Sequence, residues 1–387
     1  MALYLAQILF WVAFAVLLHI YIGYPLLLRI LSSLRVQDGA PLPANENNLP
    51  SLTLFISVYN ESSVIRAKLD NALSLDYPAE LLEVAVASDG STDSTNEIIE
   101  EYRERGVKVF INKLNEGKNS VINQYAPHAR GDIIIFTDAN AMFSQNALKS
   151  LAAHFSDHRV GCVGGKLQYL TGSGSIAQGE GVYFRYENSL RKLEGALGVM
   201  VGANGAIYAI RKALFIDVPL HTPNDFFHPL AVLRRGYEAR FEEKAVAYEK
   251  PTIDRKEEFR RRSRIVMRSV GAVMEIRRQF GSLFGKGWFN LFSHKILRWF
   301  TLPIHMILLL ANVLMLGSPF YLGFMVLQIL LILAGFCGFL CDMAGVKVKL
   351  LTAPYYFLLI NLAAMNGIFK YFKGERVNTW KQAETTR

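Results

Sequence analysis

Three apolar runs in this chain end in carboxylates. Residues 133–136 lead into Thr137, Asp138, Ala139 and Asn140, residues 82–87 into Ser88, Asp89 and Gly90, and residues 52–58 into Tyr59, Asn60 and Glu61. An aspartate at the exit of a buried strand can meet the polar edge of a base or sugar, or coordinate a hard cation that neutralises phosphate. Oxygen ligands of this kind suit Mg2+ or Mn2+ on a diphosphate. At the third exit the second ligand position is an amide, so Asn140 keeps an oxygen and gives up one negative charge. Asp138 with Asn140 is therefore expected to bind metal weakly alone and better once a diphosphate adds anionic oxygens. The bland use of such an aspartate is turn or helix capping, which is the expectation for Asp93, just ahead of a helix.

Two further residues belong with these. Lys118 opens a helical pattern after Glu116 and Gly117. Asp225 follows Pro223 and Asn224 and precedes Phe226 and Phe227, an apolar flank that would raise a carboxyl's pKa. Its bland alternative is the N-cap of the helix that starts there.

The elements that must hold these residues alternate. Strands over 52–58, 82–87, 107–112 and 133–138 are separated by helices near 64–73, 94–102 and 118–125, which predicts βαβ units, an α/β domain and a mainly parallel sheet. Ligands of such sheets sit beyond the carboxyl ends of the strands, where Tyr59, Asn60, Glu61, Asp89, Asp138 and Asn140 collect. A dinucleotide-binding fold would need a G-x-G-x-x-G turn after the first strand, and residues 57–62 contain no glycine.

Composition places this domain at a membrane. Hydrophobic residues make up 51% of 387 and the mean hydropathy is +0.21, high for a soluble chain. The apolar excess lies in residues 1–35, read as a retained N-terminal anchor, and in 293–372, where 296–316, 320–340 and about 350–369 are three expected spans. Between them come a linker over 36–50, the soluble domain over 51–254 and a basic interfacial helical segment over 255–292; a polar tail covers 373–387. Arg29 and Arg35 follow the first span with no Lys or Arg ahead of it, which puts the domain on the cytoplasmic side. The tail's side stays open, because three full C-terminal spans would carry Lys370, Lys373 and Arg376 outside. Net charge is +9, and residues 255–278 hold nine Arg or Lys against three Glu. Beside membrane spans, such a cluster points to anionic lipid rather than nucleic acid. Cys162, Cys337 and Cys341 read as packing residues.

The motifs resemble one family. "SVYNES", "SDGSTDST", "NEGKNSVIN" and "TDAN", followed by "GANGAIYAIRKALF" and "TPNDFFHPLAVLRRGYEARFEEKAVAYE", stand in the order found in family 2 glycosyltransferases. These are membrane-integrated inverting enzymes with a GT-A fold, among them cellulose, chitin, hyaluronan and poly-N-acetylglucosamine synthases. The resemblance spans roughly residues 52–268. It implies that Asp89 binds the nucleotide's base, Lys118 lies close to the nucleotide, Asp138 and Asn140 occupy the D-x-D metal motif, and Asp225 is the catalytic base. Tyr59, Asn60 and Glu61 would complete the donor site.

The chain departs from the pattern in three places. Asn140 replaces the second aspartate of D-x-D, Asn224 replaces the glutamate of T-E-D, and residues 261–265 keep the Arg of Q-x-x-R-W without its Gln or Trp. Arg261 and Arg264 share a helix face and would grip the diphosphate or an acidic acceptor; the alternative is a solvated face, favoured for Arg260 and Arg262. Gly202 and Asn204 would lie by the acceptor, with glycine packing as the equal alternative. No chemistry attaches to Trp380 in the tail.

The expected function is transfer of a sugar from a nucleotide-sugar, a UDP-sugar first, to a lipid-linked or growing glycan at the bacterial cytoplasmic membrane, in exopolysaccharide or envelope assembly. The alternatives are a processive synthase that also secretes its product, alone as a homo-oligomer or with export proteins, and a non-catalytic membrane scaffold. Donor, acceptor and linkage are not encoded in these motifs.

Overall fold

The computed structural model describes residues 1–35, 49–170, 175–251 and 254–378. Nearly all of the expected linker, and Trp380 in the tail, lie outside the described residues.

The core is an eight-stranded sheet in the order β3-β2-β1-β4-β7-β6-β8-β5. Its strands are β1 Leu52–Val58, β2 Leu82–Asp89, β3 Lys108–Asn112, β4 Ile133–Asp138, β5 Met142–Phe143, β6 Val160–Tyr169, β7 Tyr208–Arg211 and β8 Glu238–Glu249. The first half is parallel, as the alternating pattern predicts. The second half is mixed: β7 runs antiparallel to both β4 and β6, while β6 and β8 pair in parallel. All seven residues of β1 are buried, because a central strand covered on both faces has no wet side.

Alternate side chains of these strands feed two cores. Leu54, Ile56, Val84, Val86 and Ile135 pack with Ile65, Ile99 and Leu148, which lie on α3 (Ile65–Leu73), α4 (Thr95–Glu101) and α6 (Ala147–Ala153). Phe55, Ala85, Ala87, Ile134 and Phe136 face the other way and meet Val121, Phe227 and Val273, from α5 (Lys118–Tyr125), α8 (Asn224–Arg234) and α9 (Arg255–Phe280). The period of two sorts the side chains; the helices on each side make the sheet a middle layer.

Three helices are long and apolar enough to cross a membrane: Leu3–Leu34, Pro319–Met343 and Lys349–Phe372. The first is α1 (Ala2–Leu18) continued through a π-turn at His19–Gly23 into α2 (Tyr24–Leu34). The expected straight span over 296–316 is instead two helices, Trp288–Trp299 and Thr301–Val313, bent by 64°. Pro303 explains the break: it has no N–H to give to the Trp299 carbonyl four residues back, so the helical ladder cannot pass this point. The second half still packs on the anchor, with Leu308, Ala311 and Met315 against Ala6, Phe10 and Ala13.

The basic segment is α9, and only one of its faces is free for lipid. Arg262, Ser263, Met267, Val270, Ala272, Val273 and Ile276 are buried, against α8 and the Lys349–Phe372 helix. Contact with that helix is close: a Cβ on Gly367 would fall 2.4 Å from the Ser263 carbonyl oxygen.

Candidate active site

The exits of β1, β2 and β4 stand level, since Val58 pairs with Ser88 and Ser57 with Asp138. The loop after β1, which includes half-buried Tyr59, is stitched to the loop after β2. Asn60 takes a left-handed φ of 52°, accepts from the Thr92 N–H at 2.7 Å and gives its own N–H to Ser91 at 3.1 Å. The Glu61 N–H reaches Thr95 Oγ1 at 2.8 Å. Asp93 has the turn role rather than the cap, since Ser94 is the cap position of the next helix: it accepts from the Thr95 and Ser62 N–H groups at 3.0 and 3.2 Å.

Asp89 is fully buried, and its two oxygens accept the N–H groups of Glu116 and Gly117 at 3.0 and 2.8 Å. Its carboxylate thus fixes the loop that delivers Lys118, the first residue of α5. Gly90 makes room for that loop: at φ +70°, a Cβ there would sit 2.5 Å from the Leu114 carbonyl carbon. Lys118 in turn pairs directly with Asp138, their side chains 12% and 34% exposed. Two residues that the motifs place near the nucleotide are therefore in contact.

Beneath Asp138 lies a residue that the motifs did not single out. Lys68 on α3 is completely buried, gives a hydrogen bond to Thr137 Oγ1 at 3.0 Å and another to the Ala141 carbonyl, and stands 4.1 Å from the centre of the Phe143 ring. Burial pushes its ammonium down to about 7, against the pull of Asp138 and Glu249. Lys68 thereby holds both ends of the turn that carries Asp138 and Asn140, a turn closed by the Ala141 N–H on the Asp138 carbonyl.

Asp225 is in the first turn of α8, whose cap position is Pro223, so the capping alternative does not apply. Its carboxylate and that of Asp138 converge on Gly205, where a Cβ would lie 3.6 Å from an Asp225 oxygen and 3.4 Å from an Asp138 oxygen. Burial raises the Asp225 carboxyl; Lys118 works against this and Asp138 adds to it. Asn224 gives a hydrogen bond to the Tyr208 hydroxyl at 2.6 Å, and that hydroxyl is 2.9 Å from His228 Nδ1. Having accepted from Asn224, the hydroxyl donates to Nδ1, which leaves the His228 Nε2–H for the Ile216 carbonyl at 3.3 Å. Burial holds this imidazole down to about 4, so it is neutral. Asn224 thus ties the helix of Asp225 to the sheet.

The arginines of α9 divide. Arg261 pairs with Glu180 and Glu258, and Arg262, expected on a solvated face, is buried and pairs with Glu258 at 2.7 Å. A salt bridge is what allows such a charge inside. Arg268 lies close to Arg264 and within reach of the charge on Asp225. Arg268 gives a hydrogen bond to the Thr222 carbonyl at 2.6 Å; burial and then Arg264 lower it to about 10, and Asp225 raises it. It was legible as the residue four beyond Arg264, hence on the same face.

On its other side Asp225 lines a cavity of about 220 Å3 that reaches the membrane helices. Asn204 and Gly202 line it, Ile265 stands where the family's tryptophan would fall, and Trp299 enters from the bent helix pair. Three of its cations, Arg191, Lys295 and Arg298, gather on the buried Glu187, with Lys295 at 2.9 Å.

Among the described residues no group of three or more His, Cys, Asp or Glu is placed to hold a metal ion. One carboxylate, Asp138, with an amide two residues on fits Mg2+ or Mn2+ shared with phosphate oxygens, and does not fit an all-protein cage.

A sheet of this order with its carboxylates at the C-terminal edge is the GT-A glycosyltransferase fold. Residues 53–215 match the family model described as Glycosyl transferase family 2, and the chain carries a family 2 glycosyltransferase domain. The chain is 26% identical over 211 residues to a poly-beta-1,6-N-acetyl-D-glucosamine synthase of Staphylococcus aureus, covering 53% of this chain and 51% of the relative. It is 30% identical over 138 residues to a probable glycosyltransferase of Bacillus subtilis, YdaM, covering 34% and 33% of the two chains. The aligned part therefore spans about half, or less, of these relatives' length. Among solved structures, a mannosyltransferase from Pyrobaculum calidifontis, in complex with GDP-Man and Mn2+, superposes with a TM-score of 0.71. It covers 95% of this chain and 100% of its own at 21% identity, a likeness of fold.

Proposed function

We propose that the chain is an inverting glycosyltransferase of the cytoplasmic membrane that moves a sugar from a nucleotide-sugar to a lipid-linked or growing glycan. The observation that carries this reading is the convergence of Asp138 and Asp225 on Gly205, with Lys118 on one side and the membrane-facing cavity on the other. A UDP-sugar is the first donor to test, and the relatives named as poly-N-acetylglucosamine synthases favour an N-acetylhexosamine.

In this reading Asp225 takes the proton of the acceptor hydroxyl as that oxygen attacks the anomeric carbon. The bond to the diphosphate breaks in the same displacement, so the configuration inverts and the nucleoside diphosphate leaves. Lys118, Arg264 and Arg268 stabilise the charge that develops on the leaving oxygens. Asp138 and Asn140 would hold Mg2+ or Mn2+, which when bound neutralises the diphosphate. Asp89 acts through the loop it fixes, and Arg261 is committed to carboxylates, so both are positioning groups here. Asn224, which replaces the glutamate of T-E-D, has its role in the bond to Tyr208.

The helix Lys349–Phe372 runs beside α9, from Tyr356 on Glu258 at 2.6 Å to Asn366 on Ser263 at 2.8 Å. A partner this rich in arginine cannot enter hydrocarbon. We therefore place this helix at the cytoplasmic interface, which keeps Lys370, Lys373 and Arg376 inside. A processive synthase is the second reading, because Trp299 supplies the aromatic wall that Ile265 lacks.

The full chain in detergent should gain thermal stability from UDP-sugars, more so with Mn2+ present. No stabilisation by any nucleotide-sugar would overturn the donor assignment. The length of the product, a ladder or a single addition, separates the two readings.

A further inference from the structure

A second recess, of about 540 Å3, opens on the opposite face of α9, between it and the helices Pro319–Met343 and Lys349–Phe372. Its walls are apolar: Phe336 and Phe339 on one side, Leu358, Leu359 and Leu362 on the other, and Phe259 above. The two helices meet closely at its base, where a Cβ on Gly335 would fall 2.3 Å from Leu358 Cδ1. The recess therefore has a fixed floor between two helices apolar enough to lie in lipid.

The rim is cationic. Arg255, Lys256 and Arg260 stand along it. Arg255 lies 3.6 Å from Asp342 and 5.4 Å from the centre of the Phe339 ring. Lys256 and Arg260 are exposed, one helical turn apart, and neither has an ion-pair or hydrogen-bond partner among the described residues. The next residues of the same helix behave in the opposite way, since Arg261 and Arg262 turn inward and are fully paired with Glu180 and Glu258. At this end of α9 the cations thus separate: Arg261 and Arg262 are paired inside, while Lys256 and Arg260 are unpaired and lie over the apolar recess.

We propose that this recess is a specific site for one anionic phospholipid of the bilayer: an acyl chain lies against the Phe336, Phe339 and Leu358 walls, and the phosphate of the headgroup lies on Lys256 and Arg260. An apolar slot alone would take any lipid. Two unpaired cations at its mouth discriminate, because a zwitterionic headgroup brings its own ammonium beside theirs, and an anionic one does not. The site is independent of the donor and acceptor assignments above.

The test uses the full chain in nanodiscs of phosphatidylcholine with phosphatidylglycerol, with the lipids that remain bound after extraction counted by native mass spectrometry. The wild-type chain should retain one phosphatidylglycerol in preference to phosphatidylcholine. The double variant Lys256→Gln/Arg260→Gln should lose that preference by about 30-fold, as expected for two cations next to a headgroup. Arg277→Gln, an exposed cation at the far end of the same helix, should leave it unchanged. Equal losses in both variants would mean diffuse attraction and would overturn the site. So would equal retention of the two lipids by the wild-type chain, a result that does not depend on how any variant folds. Retention of a polyprenyl phosphate in place of phosphatidylglycerol, when both are supplied, would also reject the proposed occupant.

Discussion

The two walls that meet at Asp225 are held by different means. The donor wall is assembled from strand exits, and its parts are close in sequence: Asp89 fixes Gly117, and Gly117 precedes Lys118, which pairs with Asp138. The wall facing the membrane is assembled by one helix, α7 (Ser175–Ala196). Its Glu180, Glu187 and Glu194 are seven residues apart, on one face, and all buried. Between them they hold three elements. Glu180 takes Arg261 of α9, Glu187 takes Lys295 and Arg298 of the bent helix, and Glu194 takes the Tyr24 hydroxyl of the anchor at 2.5 Å and His294 at 2.7 Å. Reactive groups here sit on short turns set by a rigid sheet, and the membrane part is registered to them by distant charge pairs.

The largest expected effect lies where the walls join. Asp225→Asn should lower transfer by about 10^3-fold while donor binding persists, within the range for a general base. A thermal shift by nucleotide-sugar measured beside the transfer rate checks both. The parent rate should also fall as pH drops through a value above the usual aspartate range, because burial raises this carboxyl and the base must be ionised. A carboxyl raised in the folded state costs stability above that value and nothing below its unfolded value. The variant should therefore melt higher than the parent at neutral pH, with the gap closing in acid.

Next comes the membrane wall. Glu187→Gln leaves Arg191, Lys295 and Arg298 without their shared carboxylate, and should cost about 3 kcal/mol in detergent melts. If stability hardly changes, the wall is not held by this carboxylate.

The donor wall should respond in binding rather than folding. Lys118→Met removes one charge-assisted contact and should weaken nucleotide-sugar binding roughly tenfold by calorimetry, with little change in melting temperature. The smallest effect is expected at Asn140→Asp. Restoring the second carboxylate should tighten Mn2+ binding several-fold without nucleotide and less with it. Equal tightening in both conditions would show that the amide does not make the site depend on its donor.

The donor wall was the legible one. Apolar runs of four to seven residues that lead into Asn60, Asp89 and Asp138 can be read directly, and Lys118 opens α5 where the pattern puts it. Lys68 left a weaker trace: it falls three after Ile65 and four before Ala72, inside the buried stripe of α3, where a lysine must find partners. The membrane wall left less, because a glutamate every seven residues on a long helix looks like a solvated face until its partners, about 80 to 170 residues away, are known. The break at Phe300 was readable from Pro303, yet hydropathy alone runs straight across it.

The spacing of the three glutamates on α7 limits how this chain can be divided. A fragment ending before Arg255 would strand Glu180, and one lacking the anchor would leave Glu194 facing an empty seat where Tyr24 belonged. The globular part is therefore not portable. Donor-side turns can be exchanged between relatives as short cassettes, whereas the membrane side has to be transplanted whole.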